Sequence, residues 1–381
     1  MAPTIVVFTQ VLFSLSKRAA GINSATRPPL AVLVPAHNEE SGIAATLSSV
    51  MPQLRAEDRL LVVADNCGDE TAAIARRMGA QVTERHDESR RGKGYALDHG
   101  IRTLREPAPP KVVILIDADC QLEPGCLDTL AALCAETRRP VQGAYLMAPP
   151  RESTTMLTNL AVLAWRMRNF VRPLGWDRLG FPCQLTGSGM ALPFDQLQTV
   201  ELASGRVAED LKLGIDLSLR GHPPIFCPEA RVSSRFLESR DASKAQRTRW
   251  EHGALTTMIS ATPALLFGIF QQKSLSLLGT LLDLWVPPLA LLILMITAAM
   301  GTSLVFYLTT GLLAPMVLMS VTAIIATSTI LLTWMYHGRD ISPFWRLLLA
   351  PFYVAVKLPL YAKFLFSRED QWVRTKRARD R

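Results

Sequence analysis

The sequence lacks charged residues over one long region, since no Asp, Glu, Lys or Arg occurs between Asp283 and Arg339. It also lacks paired Cys-x-x-Cys spacing, and no secretory signal with a small-residue cleavage site precedes its six scattered cysteines. The first absence excludes an ordinary soluble domain for that region. The second argues against a disulfide framework and predicts reduced thiols in a domain that faces the cytosol.

The chain is basic, with 41 Lys and Arg against 33 Asp and Glu among 381 residues. No zinc finger, RNA-binding signature or other nucleic-acid motif accompanies this charge. The basic residues instead cluster near the apolar region, a pattern that favours an anionic membrane surface over a nucleic acid. The clustered residues are Arg166, Arg168, Arg172, Lys357, Lys363, Arg374, Lys376, Arg377 and Arg379.

The uncharged region is long enough for two membrane spans, which we predict at 280–301 and 308–333 with a turn near 301–303. Basic flanks then lie on one side only, which predicts a bacterial-type inner membrane protein whose catalytic domain faces the cytosol. The stretch 344–366 contains two prolines and three basic residues, so surface-lying helices are favoured there over a third span.

The N-terminal apolar segment 4–16 is only about 13 residues long, short of the roughly 20 needed to span a bilayer. It is followed by Lys17 and Arg18. We therefore predict an interfacial helix within a first region, 1–28.

Short β-rich runs alternate with helical stretches from residue 29 to about 147, which predicts an α/β domain with a mainly parallel sheet. The predicted strands are 30–34, 60–63, 81–83 and 112–116, and the predicted helices are 42–54, 70–78, 94–104, 153–172, 210–219 and 243–253. We predict a catalytic domain at 29–255 and a membrane region of transmembrane and interfacial helices at 256–381.

Asp117-Ala118-Asp119 directly follows an apolar strand. Two carboxylates at i and i+2, where a strand meets a loop, can hold a hard divalent cation and leave positions for diphosphate oxygens. Taken alone, the triplet is equally typical of the turn formers that commonly end strands.

Arg91-Gly92-Lys93-Gly94 opens a predicted helix. Glycines allow close backbone approach to a phosphate, and the helix N-terminus adds positive potential. The Gly spacing of a Walker P-loop is absent, and an exposed basic turn is the plainer interpretation of this segment alone.

Glu209-Asp210 begins another predicted helix, where a carboxylate ordinarily serves as a cap. Either carboxylate could instead accept a proton as a general base. Further on, Gln246, Arg249 and Trp250 have the i, i+3, i+4 spacing of one helix face. They either converge on a ligand or form an interfacial Trp with a snorkelling Arg.

The order of these features is more specific than any one of them. Pro-Ala-His-Asn-Glu (35–39), Asp-Asn-Cys-Gly-Asp (65–69), Gly-Lys-Gly (92–94), Asp-Ala-Asp (117–119), Glu-Asp (209–210) and Gln-Arg-Thr-Arg-Trp (246–250) follow one another along the chain. This series resembles family 2 glycosyltransferases of the GT-A fold, notably the cellulose-synthase-like membrane subgroup with a Gln-x-x-Arg-Trp motif. The resemblance covers about residues 29–255.

The resemblance implies a role for each matching residue. By it, Asp210, with Glu209 beside it, is the catalytic base, and Asp117 and Asp119 hold Mg²⁺ or Mn²⁺. The donor site is implied at Pro35, Glu39, Asp65, Lys93, Asp117 and Arg249, and the acceptor and diphosphate motif at Gln246, Arg249, Trp250, Gly187, Ser188 and Gly189. Many relatives carry paired aspartates where this chain has Ala64-Asp65. The chain therefore departs from the family pattern at the expected contact with the nucleobase.

The reaction that the resemblance implies is inverting transfer of a sugar, with a UDP-sugar as the expected donor. The two predicted spans and the basic surface would hold the site at the lipid headgroups, which favours a polyprenyl-linked or glycan acceptor in exopolysaccharide or envelope glycan synthesis. Two spans cannot enclose a polymer channel, so a processive synthase would need an oligomer, and a homo-oligomer stays open. A non-catalytic membrane scaffold with the same fold is the alternative from another class. A polyprenyl-monophosphate sugar transferase is less compatible with the Gln-x-x-Arg-Trp motif.

Overall fold

The computed structural model describes residues 1–16, 27–150, 155–205 and 208–366. Its strands are β1 Leu30–Ala36, β2 Arg59–Asp65, β3 Gln81–Arg85, β4 Val112–Leu115, β5 Gln121–Leu122, β6 Val141–Ala148, β7 Met190–Pro193 and β8 Ile225–Arg235. They form one sheet in the order β3-β2-β1-β4-β7-β6-β8-β5. The predicted α/β class is confirmed.

The half of the sheet made by β3, β2, β1 and β4 is parallel. β1 is buried on both faces, as expected for a strand covered by helices on each side. Val32 points into one core with Ile43 and Leu47, whereas Leu33 points into a second core with Leu97. This alternation follows from the two-residue period of a strand, and it fixes the register of the whole half.

The other half of the sheet is mixed and was not foreseen as strands. β7 runs antiparallel to β4 and β6, and β8 lies parallel to β6 with an irregularity between Gly143 and Ala144. β5 has only two residues, too short for a pattern in the sequence to reveal. Antiparallel additions of this kind depend on contacts between distant segments, so local patterning predicts them poorly.

The helices are α1 Ala2–Ser14, α2 Ile43–Val50, α3 Thr71–Arg77, α4 Lys93–Thr103, α5 Cys126–Thr137, α6 Met156–Arg166, α7 Arg172–Arg178, α8 Phe194–Leu197, α9 Glu209–Leu219, α10 Arg240–Gln272, α11 Leu275–Leu284, α12 Leu289–Thr310, α13 Ala314–His337, α14 Ala350–Val356 and α15 Leu358–Phe366. Short 3₁₀ segments occupy Met51–Gln53 and Phe344–Leu349, and one π-helical turn occupies Met167–Val171. The helices predicted between β1 and β4 are present.

The apolar region is organised differently from the prediction. The turn expected near 301–303 lies inside α12, and the chain reverses at Gly311, whose φ of 74° is left-handed and ends the helix. Gly301 lies within the helix without ending it, whereas at Gly311 the helix ends and Pro315, in the first turn of α13, starts the next one. α11 is separated from α12 by a Pro-Pro pair, so no single helix begins at 280.

Among the described residues, four helical segments are long and apolar enough to cross a membrane, compared with the two spans predicted. They are Ala242–Gln272, Leu289–Thr310, Ala314–His337 and Phe344–Phe364. The segment predicted as a short helix at 243–253 is part of the first, because α10 continues for 33 residues. The predicted domain boundary at 255 therefore falls within a helix.

The N-terminal helix is attached to the rest of the protein by buried polar contacts. Gln10 Nε2 donates to Asp283 Oδ1 at 2.6 Å, and Arg172 Nη2 donates to the same oxygen at 2.7 Å. Arg172 Nε also donates to Gln10 Oε1 at 2.8 Å. These bonds join α1, α7 and α11. Lys17, Arg18 and the basic residues 374–379 lie outside the described residues, as do 153 and 154 of the helix predicted at 153–172.

Candidate functional site

A cleft of about 300 Å³ opens at the carboxyl ends of the parallel strands. The register pairs Ala36 with Ala64 and Leu33 with Leu115, so the loops after β1, β2 and β4 leave the sheet at one edge. Ligands of open α/β sheets bind at this edge. The predicted residues that line the cleft are Pro35, Glu39, Asp65, Lys93, Asp117, Asp119, Gly187, Glu209, Asp210, Gln246, Arg249 and Trp250.

Lys93 lies at the centre of the cleft, at the first turn of α4. Its Nζ is 2.5 Å from Asp117 Oδ1, donates to the Gly187 carbonyl at 2.7 Å, and is 3.9 Å from Glu209 Oε1. The three carboxylates around it raise the pKa of the Lys93 ammonium despite its burial. The side chain is therefore a fixed positive charge at the point where three loops meet.

Gly187 is the contact point between these groups. It has a left-handed φ of 97°, and a Cβ there would lie 3.2 Å from Asp210 Oδ2 and 3.5 Å from Lys93 Nζ. A glycine thus permits both the backbone conformation and the close approach of the charged groups. Ser188 Oγ accepts a hydrogen bond from the Asp117 N–H at 3.1 Å. Ser188 and Gly189 do not line the cleft, so they position its wall rather than face a ligand.

Asp117 and Asp119 form a candidate metal centre. One ligand atom from each, together with the Cys120 sulfur, lies within 4.8 Å of the others. Burial raises the pKa of the Asp117 carboxyl, with Lys93 opposing this effect and the Asp119 charge adding to it. Burial also raises the pKa of Cys120 well above its usual range, which keeps the thiol neutral. Two crowded carboxylates beside a neutral thiol fit a hard divalent cation with oxygen ligands.

Glu209 and Asp210 begin α9 on the opposite wall of the cleft. Burial raises the pKa of both carboxyls, and that of Glu209 rises to about 7, with Lys93 acting against the shift and Asp210 adding to it. The Leu211 N–H donates to Asp210 Oδ1 at 2.8 Å, which leaves Oδ2 beside Gly187. Asp210 thus presents one carboxylate oxygen towards the groups around Lys93, as a proton acceptor requires.

The far end of the cleft contains Pro35, Glu39 and Asp65. Asp65 Oδ1 pairs with Arg85 Nη1 at 2.6 Å, and the His37 ring nitrogen Nδ1 lies 2.6 Å from the Asp65 carbonyl. Arg85 ends β3 and was not predicted. The rule that identified the other loops, polar residues at the carboxyl end of a parallel strand, would have found it.

Gln246, Arg249 and Trp250 lie on one face of α10, as their spacing predicted. The Trp250 ring packs against Trp165 at 4.9 Å between centroids, and the Trp165 indole N–H donates to the Tyr145 carbonyl at 2.9 Å. Both indoles line the cleft. Trp165 offered no signal in the sequence beyond its aromatic character.

A sequence model of the family described as "Glycosyltransferase like family 2" matches residues 28–253. The chain belongs to this glycosyltransferase family. The match ends where α10 enters its apolar half, and it contains all the motifs from Pro35 to Trp250.

Individual relatives of this glycosyltransferase are similar over shorter stretches. An uncharacterized glycosyltransferase of Mycobacterium tuberculosis is 35% identical over 144 residues, which is 36% of this chain and 58% of the relative. The 4,4'-diaponeurosporenoate glycosyltransferase of Staphylococcus aureus is 34% identical over 90 residues, 24% of each chain. The chain thus spans about 58% of the length of the first relative, and less of the second.

One solved structure resembles the glycosyltransferase over nearly its whole length. It is a mannosyltransferase from Pyrobaculum calidifontis in complex with GDP-mannose and Mn²⁺, with a TM-score of 0.61, 18% identity, and coverage of 97% of this chain and 96% of that one. At this identity the likeness establishes the fold, which is the predicted GT-A fold with apolar C-terminal helices.

Proposed function

We propose that the protein transfers a sugar, with inversion, from a nucleotide diphosphate sugar to a lipid-linked acceptor hydroxyl at the membrane surface. The observation that carries the proposal is the convergence of Asp210, Asp117 and Lys93 around Gly187, at the ligand edge of the sheet. A base, a diphosphate-binding cation and a metal-binding carboxylate are the groups that such a transfer needs.

Asp210 takes the proton of the acceptor hydroxyl. The acceptor oxygen then forms a bond to the anomeric carbon as the bond from that carbon to the diphosphate oxygen breaks. Lys93 and Arg249 face the diphosphate and stabilise the charge that develops on it. Pro35, Glu39 and Asp65 hold the nucleoside at the far end of the cleft, and Trp250 offers a flat apolar surface to a sugar ring.

Asp117 and Asp119 would hold Mg²⁺ or Mn²⁺. The crowding of their half-buried carboxylates supports this assignment, because an added cation would offset the cost of placing two negative charges together. A divalent ion supplies charge neutralisation at the leaving diphosphate.

A polyprenyl-linked acceptor is supported by the position of the cleft. Trp165, Arg168, Leu211, Trp250 and Ala254 line both the cleft and a second cavity bordered by the apolar helices. An acceptor anchored in lipid would reach Asp210 from that side. We place the reaction at the cytoplasmic face of a bacterial-type inner membrane, in exopolysaccharide or envelope glycan synthesis.

The donor is proposed to be a UDP-sugar. The Pyrobaculum mannosyltransferase was solved with GDP-mannose, so the test compares both nucleotides. The full chain, purified in detergent with Mn²⁺ and lipid extract, is assayed for nucleotide diphosphate release from UDP- and GDP-sugars. Asp210→Asn should reduce release by about 10²- to 10⁴-fold while retaining nucleotide binding, because it removes the base and keeps the shape.

Asp216→Asn is the matched control, since Asp216 lies on the same helix and pairs with Lys212 away from the cleft. It should leave release unchanged. If wild type releases neither nucleotide and binds neither by calorimetry, the enzymatic proposal is wrong and a scaffold role takes its place.

A further inference from the structure

The second cavity adjoins the active-site cleft and has a different character. It has a volume of about 110 Å³ and lies between the catalytic domain and the apolar helices. Its walls come from α1, the α6–α7 segment, α10, residues 284–292 and α14, and most of the lining side chains are apolar. It is the "apolar cavity" below. A charged cleft and an apolar cavity that share lining residues fit an amphiphilic ligand.

The apolar cavity contains a few cationic side chains, and most of them are paired within the protein. Arg172 bonds Asp283, Lys357 pairs with Glu251, and Arg247 Nε donates to the Ser243 carbonyl at 3.2 Å. Arg172 and Lys357 are thus neutralised by carboxylates, and Arg247 has a hydrogen-bond acceptor within its own helix.

Arg168 is the exception among these cations. It lines both the cleft and the apolar cavity, and it makes no side-chain hydrogen bond or ion pair with any of the residues that the structure describes. Burial lowers the pKa of Arg168 and the nearby Arg172 charge lowers it further, whereas the charges of Asp210, Glu251 and Asp283 partly oppose this shift. Arg168 is half-buried, and a guanidinium without an ion-pair partner at such a position is available to bind an anionic ligand.

A second unpartnered donor lies next to Arg168 in the chain. Asn169 also lines the cleft, is 3% exposed, and has a buried Nδ2 without a hydrogen-bond partner. Both residues belong to the π-helical turn Met167–Val171, which interrupts the α6–α7 segment. Such turns are rare and often occur at functional sites, because they redirect side chains that a regular helix would place elsewhere.

We propose that Arg168, assisted by Asn169, binds the phosphate or diphosphate group of a lipid acceptor whose hydrocarbon chain lies in the apolar cavity. The assignment rests on the proposed function, because it places this anionic group beside Asp210. A lipid source is favoured over free phosphate because the cation is located where the charged cleft meets an apolar cavity, rather than in an all-polar pocket. The donor diphosphate has its own cation in Lys93.

Binding to the full chain in detergent tests the assignment, with native mass spectrometry as the readout. The probes are a polyprenyl phosphate, the neutral polyprenol of equal length, and inorganic phosphate. Wild type should prefer the polyprenyl phosphate, and Arg168→Gln should lose roughly 10- to 100-fold of that preference, as expected for one charge-assisted bond. Arg168→Lys, which keeps the charge, should retain part of it.

Arg166→Gln is the matched control. Arg166 lies two residues earlier, pairs with Asp340 at 2.7 Å, and lines neither the cleft nor the apolar cavity, so its removal should not change lipid preference. Equal preference in wild type and Arg168→Gln would overturn the proposal, as would inorganic phosphate competing as well as the lipid. A shared loss in Arg166→Gln would also overturn it, because net charge would then explain the effect.

The outcome is separable from that of the proposed function. Nucleotide release is measured on the same variants without added lipid. Lipid discrimination through Arg168 with no release from any donor would uphold this site and defeat the transferase proposal. Nucleotide release without any lipid preference through Arg168 would uphold the transferase proposal and defeat the Arg168 site.

Discussion

The proposed donor end and the proposed acceptor end of the cleft differ in how their charges are balanced. At the donor end, Lys93 pairs with Asp117, and Asp65 pairs with Arg85. At the acceptor end, Arg168 makes no ion pair or side-chain hydrogen bond with any described residue, and the only negative charges that act on it are the longer-range ones of Asp210, Glu251 and Asp283. The donor end is therefore arranged by the protein itself, whereas the acceptor end has a charge that a ligand would neutralise. We therefore expect ligand binding at the acceptor end to depend more on the membrane than ligand binding at the donor end.

Removing a metal-binding carboxylate should have the largest effect of the substitutions that sharpen this comparison. Asp119→Ala takes away one of two carboxylates at the candidate metal centre. We expect transfer to fall by about 100-fold or more, because metal neutralisation of a leaving group is worth several kcal/mol. Nucleotide release measured against Mn²⁺ concentration checks it, and chelation should reproduce the loss in wild type.

Asp195→Ala provides the control for that experiment, since Asp195 is an exposed carboxylate that pairs with Arg138 at the surface. Its metal dependence should equal that of wild type. Activity in Asp119→Ala that responds to Mn²⁺ as wild type does would place the ion elsewhere.

A methyl group added at Gly187, which lies between Asp210 and Lys93, should have an intermediate effect on activity. Gly187→Ala puts a Cβ 3.2 Å from Asp210 Oδ2 at a left-handed residue. We expect kcat to fall by roughly 10- to 100-fold, because small displacements of reacting groups are costly. Steady-state kinetics and thermal unfolding measured together separate displacement from instability.

Gly125→Ala is matched to it, because Gly125 also has a positive φ, of 79°, but nothing lies within 4 Å of its Cβ position. It should lower stability by about 1 kcal/mol through backbone strain and leave kcat unchanged. If both variants lose activity equally, backbone strain at the substituted glycine, rather than displacement of Asp210, explains the loss.

A larger side chain at the shared border of the cleft and the apolar cavity should have the smallest effect on activity. It should change only the binding of the acceptor. Ala254 lines both the cleft and the apolar cavity, so Ala254→Phe reduces the space where they adjoin. We expect the KM for a polyprenyl-linked acceptor to rise several-fold, while nucleotide release to water stays the same, because the donor groups are not touched.

Ala298→Phe is the corresponding control, since Ala298 is exposed on α12 and lines neither cavity. An unchanged acceptor KM in Ala254→Phe would mean that the acceptor reaches Asp210 by another route. Loss of donor turnover in the same variant would mean that the two ends are not independent.

The sequence by itself determined the parallel half of the sheet and most of the residues at its ligand edge. β1, β2 and β4 are local apolar runs, and parallel strands held in register bring the residues that follow them together whatever the rest of the chain does. Pro35, Asp65 and Asp117 could therefore be placed before any coordinate was known. Arg85 follows the same rule, although its strand is short.

Only the tertiary structure decided the roles of the basic residues near the apolar region and the course of that region. Arg166, Arg168 and Arg172 look alike in sequence. Arg166 pairs with Asp340 and Arg172 with Asp283, both distant in the chain, whereas Arg168 pairs with no carboxylate among the described residues. The position of the chain reversal at Gly311, and the walls of the apolar cavity, likewise depend on which helices pack together. Helix packing joins segments hundreds of residues apart, and no local pattern records which ones will meet.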